Sequence, residues 1–234
     1  MGTLTRLPQL DLARRVTNDH GFYTTAEASR IARVPQWTVN AWRREGVVVP
    51  SVEWTSEEGK SESGYTFETL VFLRLIRMLR EQRISLLHAV EAVDSLRKRF
   101  GPPGVNWADA RLFTQNGRVF ACKQDEWQTT MAPSHQKVFE TLLFEEEFAG
   151  LKDRLDSLLV PKEFAKFVEI DPSIRNGLPI VINTTIPTNV IHNLRQQRYR
   201  YEQIHAMYPF ITRRTIIGAD KYEDFLDSPM SKVA

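Results

Sequence analysis

Helical spacing is the first pattern along the chain: Ala28, Ile31 and Ala32 recur three and four residues apart, with Thr24 or Thr25 available as N-cap and Glu27 in the first turn. Val34-Pro35 interrupts that pattern. A second helix is then predicted to about Glu45, with Val39 and Trp42 turned inward, Gln36, Asn40, Arg43 and Arg44 turned outward, and Gly46 as its stop. Over residues 47–67 the periodicity changes. Val-Val-Val-Pro-Ser-Val-Glu-Trp, a polar run containing Lys60, and Gly-Tyr-Thr-Phe around Tyr65 predict two short strands joined by a loop. Leu70, Leu73, Leu75, Ile76 and Leu79 mark a third helix with Arg74, Arg77 and Arg80 on its solvated side, and a fourth is predicted from Ser85 to about Phe100.

Gly101-Pro102-Pro103-Gly104 ends this helical half, and Pro161 and Asp171-Pro172 mark further breaks. Between them, residues 111–115 and 118–123 flank Asn116-Gly117, the two-residue turn signal of a β-hairpin. Residues 137–159 carry an amphipathic helical pattern broken near Gly150. Beyond residue 171 an extended stretch at 178–182 precedes three short helices, at about 187–197, 201–208 and 212–226, punctuated by Pro187 and Pro209. The predicted architecture is mainly α with small β elements. It comprises an N-terminal arm (1–21), a winged helix-turn-helix (22–100), a β-hairpin and amphipathic helix as linker or dimerisation region (101–168), and a C-terminal three-helix, homeodomain-like domain (169–234).

Composition removes several function classes. One cysteine in 234 residues, Cys122, forbids an intramolecular disulfide and any cysteine-rich metal site. The five histidines (His20, His88, His135, His192 and His205) stand apart without metal-ligand spacing, and no Gly-rich phosphate loop is present. Neither a cofactor nor a catalytic centre is expected, so the chain reads as a non-enzyme. No apolar run approaches the roughly 18 residues needed to span a bilayer, and residues 1–12 lack a signal-peptide layout, which predicts a cytoplasmic protein without a membrane partner. The net charge of +2 excludes a uniformly basic coat, but its distribution is uneven. Residues 1–100 carry 15 basic and 12 acidic side chains, residues 101–170 carry 8 and 11, and residues 171–234 carry 8 and 6, so basic ends flank an acidic middle.

The basic ends hold the candidate chemistry. A helix, a tight turn and a second helix with Gln36, Asn40, Arg43 and Arg44 outward suit a DNA major groove, since Arg reads guanine bidentately, Asn and Gln read adenine, and further cations hold phosphates. The same pattern also fits a plain solvated helix face. Lys60 and Tyr65 follow in the position of a wing, and Trp37 either flanks the groove or completes the core.

Two stretches carry family resemblances. Tyr-Thr-Thr-Ala-Glu-Ala-Ser-Arg-Ile-Ala-Arg-Val-Pro from Tyr23, Val-Asn-Ala-Trp-Arg-Arg-Glu-Gly from Val39 and Gly-Tyr-Thr-Phe from Gly64 resemble a MerR-type winged helix-turn-helix. Arg33 stands where that turn usually holds Gly, and Pro35 where a Ser cap is frequent. The second stretch has Asp171-Pro172, Gly177, Pro179, Ile186-Pro187 and Tyr208-Pro209 as its punctuation. It resembles the small helical C-terminal domain, long without an assigned function, of VapB-type antitoxins. The two together resemble antitoxins of type II toxin-antitoxin systems. That resemblance implies binding and neutralising a PIN-domain ribonuclease toxin and repressing the chain's own operon through double-stranded operator DNA. A PIN nuclease holds its metal among carboxylates, so the candidates for toxin contact are Arg195, Arg198 and Arg200, the Arg213-Arg214 pair, or the segment 220–234 with Tyr222 and Phe225. A homodimer is expected, because one such module buries little surface for tight specific binding. The alternative is a MerR-like DNA-binding regulator without a toxin partner.

Overall fold

The computed structural model describes residues 22–57, 59–101, 110–115, 118–123, 140–141, 159–171 and 173–230. The N-terminal arm (1–21) and the tip of the hairpin, Asn116-Gly117, lie outside them. Tyr23–Thr24 (β1) leads into Thr25–Ala32 (α1), a turn, and Gln36–Arg44 (α2). Thr24 makes a capping box: its Oγ1 accepts from the Glu27 N–H at 3.2 Å, and its own N–H donates to Glu27 Oε2 at 2.8 Å. α2 has no side-chain cap at Pro35, whose ring stands at the position before the first helical turn. Val52–Thr55 (β2) and Ser61–Tyr65 (β3) form the expected hairpin, with Glu53 opposite Ser63. β1 adds to the other edge of β3, Tyr23 opposite Tyr65, giving a three-stranded sheet in the order β1-β3-β2.

Phe67–Glu81 (α3) and Leu86–Phe100 (α4) start on the hydroxyl caps of Thr66 and Ser85. α3 is buried nearly all round, from Thr69 to Leu73 and from Leu75 to Leu79. That corrects the expected solvated stripe: Arg77 is buried, its charge met by Glu81 one turn on at 2.6 Å. Ala110–Gln115 (β4) and Arg118–Lys123 (β5) pair in the register Phe113 opposite Phe120 and Gln115 opposite Arg118, which is the hairpin that Asn116-Gly117 predicted. Glu140–Thr141 (β6) pairs with the free edge of β4. The expected helix over 137–159 is therefore corrected at its start, where a strand edge takes up the backbone; residues 142–158 lie outside the described residues.

The C-terminal unit opens with Val168–Glu169 (β7) antiparallel to Ile180–Val181 (β8). Thr188–Gln196 (α5), Tyr201–Met207 (α6) and Arg213–Asp227 (α7) follow, close to the predicted limits. Ile191, Ile204, Ile211, Ile216, Ala219, Tyr222 and Leu226 form the interior of this bundle. α7 carries Gly218 in mid-helix because the helix lies against Phe167: a Cβ there would stand 2.2 Å from the ring carbon Cγ.

α7 also packs on α1, which joins the two halves. Arg33 ends α1 in the left-handed conformation (φ 59°) and reaches the end of α7, donating to the carbonyls of Phe225 at 2.7 Å, Leu226 at 2.9 Å and Ser228 at 2.8 Å. Its guanidinium also lies 4.7 Å from the Phe225 ring centre. Arg30 bridges Glu223 and Asp227, each at 2.6 Å, and the buried Glu223 accepts in turn from the Thr188 hydroxyl. Tyr23 donates its hydroxyl to the Gly177 carbonyl at 2.8 Å. The arginine in the usual glycine position is thus a clamp between the helix-turn-helix and the C-terminal bundle.

Candidate nucleic-acid interface and partner surface

Thr38, Val39 and Trp42 fix α2 to the core, and this leaves Gln36, Trp37, Asn40 and Arg44 on one exposed stripe. Trp37 is 58% exposed, which decides its position in favour of the outer face. Arg43 behaves differently. Its guanidinium donates to the Ser63 hydroxyl on β3 and stands 3.8 Å from the Glu53 carboxylate on β2, so it ties α2 to the wing. Lys60 is exposed in the β2–β3 turn, where the Ser56 N–H donates to the Lys60 carbonyl at 2.8 Å.

Tyr65 is fully buried on β3. Burial pushes its phenol pKa up while the Arg43 guanidinium acts in the other direction. The expectation that it touches DNA is corrected here: in this conformation it supports the wing from beneath. Trp54 on β2, which sequence reasoning passed over, is 40% exposed on the wing. Gly64 lets β2 close over β3, since a Cβ there would stand 2.6 Å from Val52 Cγ2 and 3.1 Å from the Trp54 ring.

In the C-terminal unit the seven expected contact residues separate. Tyr222 is fully buried, its phenol pKa raised by burial, and Phe225 packs its ring against Phe164 at 5.6 Å between centroids while lying under Arg33. Both are corrected from candidate contacts to packing residues, because α7 turns that face toward the core. Arg195 is occupied as well. It stacks 4.1 Å from the Tyr201 ring centre and stands 3.6 Å from Asp220, which also accepts from Tyr201 at 2.7 Å and pairs with His192 at 2.9 Å. Arg198, Arg200 and Arg214 are exposed, and among the described residues no ion pair involves them. Arg213 is exposed and pairs with Glu202. Phe210 and Met207, 69% and 47% exposed, were not among the expected contacts, because one exposed apolar residue beside a Tyr-Pro turn leaves no periodic signal. No helix among the described residues is long and apolar enough to cross a membrane.

Residues 23–96 match the family described as MerR HTH family regulatory protein, and residues 168–222 match a protein family of unknown function, DUF433. The chain therefore carries a MerR-type helix-turn-helix domain followed by a DUF433 domain. It is 30% identical over 118 residues to uncharacterized HTH-type transcriptional regulators of Mycobacterium tuberculosis (Rv1830) and Mycobacterium bovis (Mb1861), a match covering 50% of this chain and 50% of each relative. The chain thus spans about half the length of these relatives in the match. The crystal structure of Rv2018 from Mycobacterium tuberculosis is similar over 84% of this chain and 96% of that one, with a TM-score of 0.51 and 14% identity, a likeness of fold.

Proposed function

We propose that this chain is a DNA-binding transcriptional regulator that doubles as the antitoxin of a type II toxin-antitoxin system. In this reading it represses its own operon and neutralises a PIN-domain ribonuclease. The observation that carries the DNA-binding part is the stripe Gln36, Trp37, Asn40 and Arg44, exposed on the second helix of a MerR-type domain while the opposite face of α2 is core. Asn40 supplies a bidentate amide for a base edge, Trp37 an apolar surface for a thymine methyl, and Arg44 a phosphate contact. Arg43 and Lys60 act through the wing, Arg43 by orienting α2 against β2 and β3. The antitoxin part is supported by the order of the two domains and by the exposed Arg198, Arg200, Arg213 and Arg214, whose charge complements a carboxylate-lined metal site. Pairing of two chains supplies the surface that specific operator binding requires.

The test is a titration of the promoter fragment upstream of the chain's own gene. Asn40→Ala is expected to cost about 1–3 kcal/mol on that fragment and little on random DNA; Arg44→Ala is expected to weaken both and to lower the salt slope by about 1. Equal losses for both variants on both DNAs would remove the division of roles. Co-expression with the protein encoded beside the gene tests the antitoxin part: retention with suppressed ribonuclease activity is expected, and a chain that purifies alone would leave a regulator without a toxin.

A further inference from the structure

We infer that the turn between α6 and α7 is the surface that docks the acidic nuclease, with Phe210 and Met207 as its apolar anchor and Arg214 and Arg200 as its charged rim. The inference rests on the antitoxin reading and gives it a location. Phe210 and Met207 are 69% and 47% exposed, whereas most other large apolar side chains among the described residues are interior. The turn that carries them is fixed at both ends. Ile211 is buried in the bundle, its N–H donates to the Tyr208 carbonyl at 3.0 Å, and its carbonyl accepts from His205 Nδ1 at 2.8 Å. Thr212 then caps α7, accepting from the Thr215 N–H at 3.2 Å. Phe210 is held outward by this frame, with the Tyr208 ring edge-on at 6.3 Å. A side chain carried on a backbone already fixed at both ends adds no backbone ordering cost on binding, which favours an interface anchor.

Charge selects the partner. Arg213 pairs with Glu202 in the first turn of α6, so the start of α7 lies beside the start of α6, where Arg200 is exposed. That pair is neutral as a whole, so the net positive charge at these two helix starts comes from Arg200 and Arg214, both exposed. An exposed aromatic anchor with exposed arginines at the starts of the two flanking helices is the composition of a protein-binding hot spot facing an acidic surface. A phosphate-tracking face is a run of free cations, whereas here the first arginine is paired with a carboxylate and the exposed centre is apolar, which suits a protein surface. The carboxylate-lined mouth of a metal-dependent nuclease meets both conditions.

The experiment compares the full chain with Phe210→Ser/Met207→Ser and with Arg214→Glu, each co-expressed with the protein encoded beside its gene. Since the substituted side chains are exposed, thermal melting and operator affinity are expected to match the parent chain. The double variant is expected to weaken the complex by at least about 30-fold in Kd, as for a lost hot spot, and to restore ribonuclease activity; Arg214→Glu is expected to slow association at low salt. A parent chain that retains the nuclease no better than its variants do overturns this assignment and leaves the antitoxin reading standing. A parent chain that retains no nuclease overturns both. Loss of operator affinity with the nuclease still held would assign the face to DNA, and a fall from dimer to monomer mass would assign it to a second copy; either result overturns the proposal.

Discussion

Replacing Arg33 with Gly tests whether the clamp between the two units or local backbone strain governs this position. Local geometry favours glycine: Arg33 has φ 59°, and relieving a left-handed non-glycine residue is worth about 1 kcal/mol. The side chain argues the other way. Its guanidinium satisfies three carbonyls at the C-terminal end of α7, where the helix presents partial negative charge. Nη1 shares its two N–H among these three carbonyls and Nη2 donates to the Ser228 hydroxyl at 3.0 Å, so three charged N–H donors are engaged, and at about 1.5 kcal/mol each they supply roughly 4–5 kcal/mol. Burial and the neighbouring Arg77, Arg74 and Arg30 charges work against this and lower the Arg33 pKa. With about 1–2 kcal/mol taken off for these costs and about 1 kcal/mol for the relieved backbone, Arg33→Gly is expected to destabilise by about 2 kcal/mol. Arg33→Ala, which keeps the strain and loses the bonds, is expected to cost about 1 kcal/mol more. Urea unfolding of the full chain reads both values, and protease cleavage between the units should accelerate in parallel. A glycine variant as stable as the parent, or more so, would refute the reasoning and assign the position to backbone geometry alone.

Two further outcomes follow from packing and from titration. Gly218→Ala should destabilise by about 2 kcal/mol despite the better helix propensity of Ala, because the new methyl would stand 2.2 Å from Phe167 Cγ and 2.8 Å from its Cβ; adding Phe167→Ala should recover part of the thermal shift, and additivity of the two losses would refute the contact. The Arg30 hydrogen bond holds the Asp227 carboxyl below its ordinary range, so its contribution is complete above the unfolded value of about 3.9 and disappears as pH falls through the lower folded value. Asp227→Asn should flatten the acid limb of stability against pH measured by urea midpoints, and an unchanged limb would remove Asp227 from the clamp. Glu68 acts in the opposite sense: burial raises its pKa, so ionising it costs stability as pH rises through the folded value, with Arg97 at 3.0 Å limiting the loss.

The clamp bears on function because it joins the two candidate surfaces. α1, which carries Arg30 and Arg33, is the helix against which α2 packs, and α7, which receives both arginines, begins at the turn that exposes Phe210. The two candidate surfaces are thus carried by elements whose supporting helices are bonded directly to each other.

Local rules along the chain determined most of the elements. The Thr24–Glu27 capping box, the Thr66 and Ser85 caps, the pairing on either side of Asn116-Gly117 and the three C-terminal helices all follow from interactions within a few residues, so their signals survive in the linear order. The exposed stripe of α2 was legible for the same reason, because helical periodicity separates Val39 and Trp42 from Asn40 and Arg44. Tertiary structure decided what covers each face. Periodicity marks Tyr222 and Phe225 as neighbours on a helix, but only the approach of Phe164 and Arg33 makes that face interior. The two-residue strands β1 and β6 have no local signal and exist because a sheet edge supplies their partners. Arg43 was placed with the groove-facing residues by type and spacing, yet the wing brought to it by the chain reversal supplies Ser63 and Glu53 as its partners. Arg33 and Phe210 show the same division in opposite directions. An arginine in a basic stretch is drawn inward by carbonyls almost two hundred positions away, and Phe210 is left outside while its neighbour Ile211 takes the interior place. Short-range physics sets the conformation of a segment; burial and charge neutralisation depend on which distant segments arrive, and that is decided when the whole chain packs.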